Sequence, residues 1–147
     1  MPGALGTVVL GALALAVMAT AALLLTVRQD EVRYPPGSAE AAFQRYIAAW
    51  DEGDTDAAYA ALSSRARSLV PLRDFVEAQS WSADTPTRIW IDESKDAGER
   101  VILELTVEQS VGGPMRPRRD RHQPTVTMLR EDGAWKVDTP LVGYYPW

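Results

Sequence analysis

The sequence predicts an α+β domain behind one N-terminal transmembrane helix. Three observations predict it. Residues 4–27 form an uncharged apolar run, apolar residues recur at helical spacing from Ser38 to Ser80, and strict alternation takes over after Trp81. The expected layout is three helices packed on one face of an antiparallel sheet of about four strands. A chain of 147 residues, 46% apolar and 24% charged, has room for one such domain and one accessory segment.

Residues 1–27 are read as a signal-anchor helix. The stretch Ala4–Val27 has 24 residues, no charge and only two threonines as polar side chains. As a helix it would reach roughly 36 Å, enough for a hydrocarbon core of about 30 Å. A cleaved signal peptide is the alternative, with Ala19–Ala21 resembling a cleavage site. No Lys or Arg precedes the run, however, and it exceeds the usual apolar core of a signal. A single-pass membrane protein is therefore expected. Arg28 and Arg33 follow the helix, so a strict count of flanking charge points the domain to the cytoplasm.

Residues 28–37 form a charged linker in which Pro35 and Pro36 stop the membrane helix. Ser38 is a helix N-cap with Glu40 in the first turn, and Phe43, Tyr46, Ile47 and Trp50 share one face of the helix that follows. Gly53 ends that helix, and Asp54 or Thr55 caps the next. The second helix is expected over Asp56–Arg67, with Tyr59, Leu62 and Ala66 as its apolar stripe. Pro71 opens a third, short helix carrying Leu72, Phe75, Val76 and Gln79.

Thr87–Ser94 reads as the first strand, followed by a turn at Lys95–Glu99. Arg100–Gln109 reads as the second, with Val101, Leu103, Leu105 and Val107 on one face and Glu104, Thr106 and Glu108 on the other. Gly112–Arg121 is expected to be a long hairpin loop. Pro124–Arg130 and Ala134–Asp138 complete the meander around a turn at Glu131–Gly133.

Several function classes are excluded or weakened at this level. The formal net charge is -5, which argues against nucleic-acid binding, since a phosphate backbone demands a basic face. With no cysteine in the chain, disulfides, thiol catalysis and thiolate metal sites are ruled out. No phosphate-binding glycine loop, nucleophile elbow or zinc motif occurs. Asp54 and Asp56 in the acidic run Asp51–Asp56 serve as capping residues, and Asp74 with Glu77 reads as a solvated helix face. The one histidine, His122, is placed beside the hairpin loop at a rim position. No catalytic residue, metal site or cofactor is assigned.

The run Ala41–Arg67, the short helix around Leu69–Ala78 and the closing Arg130–Asp138 together resemble the nuclear transport factor 2-like superfamily, in particular its small bacterial membrane-anchored members. The resemblance spans about Ser38–Asp138. It implies a curved sheet that closes with the helices into a conical pocket, an extracytoplasmic domain, and in some relatives cyclase, dehydratase or isomerase chemistry by an aspartate and a histidine. The chain departs from lipoprotein members in lacking a cysteine.

Two sets of candidate residues follow. Trp50, Tyr59, Phe75, Trp81, Trp90 and Trp135 would line the cone if it takes a small apolar ligand, or fill it as core. Arg116, Arg118, Arg119 and Arg121 fall within six positions, and Tyr144, Tyr145 and Trp147 end the chain; both sets suit contact with a partner. The expected role is a non-catalytic binding or assembly domain, an accessory of a membrane or cell-envelope complex or a homodimer. A small-molecule carrier and an isomerase- or dehydratase-like enzyme are the alternatives.

Overall fold

The computed structural model describes residues 32–82, 87–112 and 118–139. The chain divides into two compact units, residues 1–33 and residues 34–147. The apolar segment 4–27 lies outside the described residues. Among the described residues, no helix is long and apolar enough to cross a membrane.

Ser38 starts the helical layer by accepting a hydrogen bond from the Ala41 amide at 3.1 Å, so α1 runs from Ala39–Asp51. Its end is set by Gly53, whose φ of 75° is open to glycine at little cost. The Gly53 and Asp54 amides then turn back to donate to the Trp50 and Ala49 carbonyls, the paired bonds of a Schellman stop. Asp54 caps α2 (Thr55–Ala60) through the Ala57 amide.

Here the structure departs from the single second helix expected over Asp56–Arg67. The chain breaks at Leu62 and Ser63, and α3 (Ser64–Leu69) starts anew with Ser63 as its cap. The cause is tertiary. The Ser63 amide donates to the Val137 carbonyl, and the Val137 amide donates to the Ala61 carbonyl, so Leu62 pairs with the last strand instead of continuing a helix. The fourth helix, α4, spans Leu72–Ser82. Among the described residues the helical layer thus holds four helices where three were expected.

The sheet contains β1 (Thr87–Asp96), β2 (Arg100–Val111), β3 (Arg118–His122), β4 (Thr125–Glu131) and β5 (Ala134–Val137), all antiparallel. Its order is β1-β2-β4-β5, with β3 also paired to β2. The first strand outruns its expected end at Ser94 and carries a bulge at Asp92. The β4–β5 turn places Asp132 and Gly133 at φ 51° and 79°, the two left-handed positions of a tight hairpin.

A second correction concerns Gly112–Arg121, expected as a loop. Arg118–His122 is strand, because β2 is long enough to pair with two partners in turn. From Arg100↔Leu129 through Glu104↔Thr125 to Val107↔His122 and Val111↔Arg118 the register never changes. The strands β3 and β4 are therefore one strand interrupted at Gln123 and Pro124. Pro124 has no amide to donate, but its carbonyl still accepts from the Leu105 amide at 3.0 Å.

Period-2 alternation sends Val101, Leu103, Leu105 and Val107 of β2, Val126 and Met128 of β4 and Val137 of β5 into the core against Phe43, Tyr46, Leu62 and Phe75. The even-numbered residues of β2 form the outer face, where Ile102 is exposed and Glu104 and Glu108 are half-buried.

Candidate functional site

The sheet continues beyond the helices' core at one end, where β1, β2 and β3 lie side by side. Two cross-strand rows define its outer face. Arg88 pairs with Glu108, which pairs with Arg121; Ser110 pairs with Arg119. Glu108 is recessed, with its side chain 18% exposed, while those of Arg119 and Arg121 are 81% and 65% exposed. Arg121 Nη2 approaches Glu108 Oε2 at 3.4 Å and Arg119 Nε approaches Oε1 at 3.8 Å. One carboxylate thus sits within 4 Å of two guanidinium groups, Arg119 and Arg121, with Arg88 as its cross-strand partner on β1. A recess of about 300 Å³ opens here, lined by Thr87, Arg88, Glu108, Ser110 and Arg119.

The helix-facing side of the same three strands carries a different set. His122 stands opposite Val107, and Asp120 stands opposite Gln109. His122 Nε2 lies 3.5 Å from Gln109 Oε1. Arg118 reaches Asp120 at 3.6 Å. His122 is therefore half-buried within a strand, on the face shared with the core, and is not the loop-side rim residue expected. Alternation counted back from Val126 through the unexpected strand would have found it.

Among the described residues, no three His, Asp or Glu side chains gather where they could hold a metal. No family model matches the sequence, and neither does any curated protein. Solved structures do match by fold. A SEC-C motif containing protein from Rhodopseudomonas palustris superposes with a TM-score of 0.57 at 18% identity, covering 69% of this chain and 76% of its own. A protein from Thiobacillus denitrificans assigned as a calcium/calmodulin-dependent protein kinase type II association domain gives 0.55 at 16%, covering 73% of this chain and 93% of its own. A SEC-C motif containing protein from Psychrobacter arcticus gives 0.56 at 12%, covering 82% and 68%. The chain shares the overall fold of these structures. At these identities the likeness is one of fold alone.

The structure sorts the six aromatic residues expected along a cone. Trp50, Tyr59 and Phe75 pack on one another, with Phe75 edge-on to Trp50 at 5.0 Å and to Tyr59 at 5.3 Å. Phase-matched helix faces drive them together, and Phe75 is completely buried. Tyr59 also donates its hydroxyl to the Val70 carbonyl at 3.1 Å, tying α2 to the segment before α4. Trp135 is half-buried at the sheet margin, with the Arg130 guanidinium 5.8 Å from its ring centre.

Trp81 and Trp90 do not line the cone. Trp81 is 68% exposed at the end of α4. Trp90 alternates with Ile89 and Ile91, which pack against the core, so it falls on the outer face opposite Thr106. Of the residues expected to contact a partner, Arg118, Arg119 and Arg121 lie on β3. Arg116, Tyr144, Tyr145 and Trp147 lie outside the described residues. Sequence reasoning missed Arg88 and Ser110, because only strand pairing brings them beside Arg119.

Proposed function

We propose that this chain is a membrane-anchored, non-catalytic binding protein, an accessory of a membrane or cell-envelope complex, and that the arginine-bearing end of its sheet is the contact surface. The observation that carries this reading is the cluster of Arg88, Arg119 and Arg121 around a single recessed Glu108, a concentration of exposed positive charge in a chain of net charge -5. Arginine offers a rigid fork of donors to carboxylate or phosphate, so such a cluster favours an acidic partner. The apolar run of residues 4–27 supplies the anchor, and the resemblance to bacterial membrane-anchored relatives favours an extracytoplasmic domain.

The test is extraction from native membranes in mild detergent, followed by native electrophoresis and mass spectrometry of the band. Co-migration in a larger assembly that is lost on changing Arg88, Arg119 and Arg121 to Ala, with the melting temperature unchanged, is the expected result. Co-migration that survives these changes removes the sheet end from the reading. A homodimer would appear as a band at twice the monomer mass.

A second reading draws on one observation, the gathering of His122, Gln109 and Asp120 on the helix-facing side. It is a small-molecule carrier, or an isomerase- or dehydratase-like enzyme, working at the open end of the cone. It predicts a ligand that co-purifies with the protein and is lost in His122→Ala.

A further inference from the structure

We propose that the recess between Arg88 and Arg119 is an oxyanion site for a phosphate group, carried as a mono- or diester; this rests on reading that end of the sheet as the contact surface.

Three strands converge on the recess, each with a donor. Arg88 comes from β1, Ser110 from β2 and Arg119 from β3, and Thr87 adds its edge. Among the described residues the Arg88 side chain forms no ion pair or hydrogen bond, so its donors are available. Arg119 is only loosely engaged, since its nearest carboxylate oxygen is at 3.8 Å. The acid lining the recess, Glu108, cannot satisfy the site. It has two oxygens to offer against three guanidinium groups, and it already leans toward Arg119 and Arg121.

The shape of the donor set selects the anion. A carboxylate is planar and is satisfied by one guanidinium fork. Donors arriving from three adjacent strands suit a tetrahedral group whose oxygens point in different directions. The volume of about 300 Å³ exceeds what a phosphate alone fills and leaves room for the group esterified to it. Trp90 lies on the same face two residues from Arg88, and the residue is 40% exposed. It offers an apolar surface next to the charged recess. The phosphate could belong to a lipid headgroup or to a free phosphate ester, and the recognition chemistry is the same.

The test is calorimetric titration of the full chain, held in a nonionic detergent free of phosphate, with inorganic phosphate, glycerol phosphate and dihexanoyl phosphatidylglycerol. Saturable binding is expected, weakened about tenfold or more in Arg88→Gln and Arg119→Gln. Arg73→Gln is the control, since that side chain is 89% exposed on α4, away from the recess, and binding should be unchanged. Arg119→Lys keeps the charge but loses the fork, and should bind weakly. Tighter binding of the lipid than of glycerol phosphate assigns a headgroup; equal binding assigns a free ester; either supports the site. Phosphate affinity that is the same in wild type, Arg88→Gln and Arg119→Gln overturns it, even if those changes abolish partner co-migration. Loss of phosphate binding with co-migration intact would uphold the site and reject the partner surface.

Discussion

Arg65 and Asp138, 73 positions apart in the chain, lock the helical layer to the end of the sheet. Arg65 donates from Nε to both carboxylate oxygens at 3.1 Å and from Nη2 to Oδ2 at 2.6 Å and to the Asp138 carbonyl at 3.0 Å. Ser63 adds its hydroxyl to Oδ1 at 2.6 Å while capping α3. The carboxylate is almost wholly buried, whereas Arg65 is half exposed. Strand β5, the α2–α3 break and the first turn of α3 therefore meet at one acid.

Removing Arg65 leaves a buried carboxylate with one hydroxyl donor. Arg65→Ala should lower the melting temperature, by a modest amount because water reaches the guanidinium. Thermal unfolding of the variant in detergent checks it, and a melting temperature within a degree of wild type would reject the lock.

The same contact sets a pH dependence. The Arg65 hydrogen bonds hold the Asp138 carboxyl below the ordinary aspartate range against the opposing effect of burial, and Ser63 adds to the lowering. The folded state thus releases the proton more readily than the unfolded chain. The stabilisation is complete above the unfolded value of about 3.9 and is lost as pH falls through the lower folded value. Stability measured from pH 6 down to pH 2 should fall less steeply in Asp138→Asn, from a lower starting point.

Phe75 and Trp81 lie on the same helix but should respond oppositely. Phe75→Ala opens a cavity among Trp50, Tyr59 and the core and should cost about 3–5 kcal/mol. Trp81→Ala removes an exposed ring and should change stability by about 0.5 kcal/mol or less. Denaturant unfolding of the two variants distinguishes core filling from pocket lining. A mild Phe75→Ala that binds added apolar ligand would restore the cone as a site.

At Gly53 a side chain meets open space, yet its φ of 75° is one that other residues adopt only with strain. Gly53→Ala should cost about 1–2 kcal/mol and fray the last turn of α1. Amide exchange at Gly53 and Asp54 reads this directly, and unchanged protection there would count against the Schellman stop.

How much of this was legible in the chain depends on where the cause of each feature lies. Ser38, Gly53 and Asp132–Gly133 act within a few residues of themselves, so the start of α1, its end and the last hairpin follow from the sequence. The alternation of Val101, Leu103, Leu105 and Val107 likewise named the core face of β2 before any partner was known. Local signals failed at Leu62 and Ser63, where helix-forming alanines on both sides argue for continuity. The break is imposed by Val137, whose amide and carbonyl claim the backbone of Ala61 and Ser63. They failed again at Arg118–His122, where prolines and charge read as a loop until the unused half of β2 supplied a pairing edge.

The candidate site belongs to the second kind. The sequence by itself determined an α+β domain behind an apolar segment, the arginine run, and the absence of cysteine chemistry. Only tertiary structure decided that Arg88, Glu108 and Arg119 share a recess and that His122 turns toward the core side. Hydrophobic period and capping act over a few residues and are written locally. Strand pairing joins positions that the chain separates, and its register alone fixes which side chains meet.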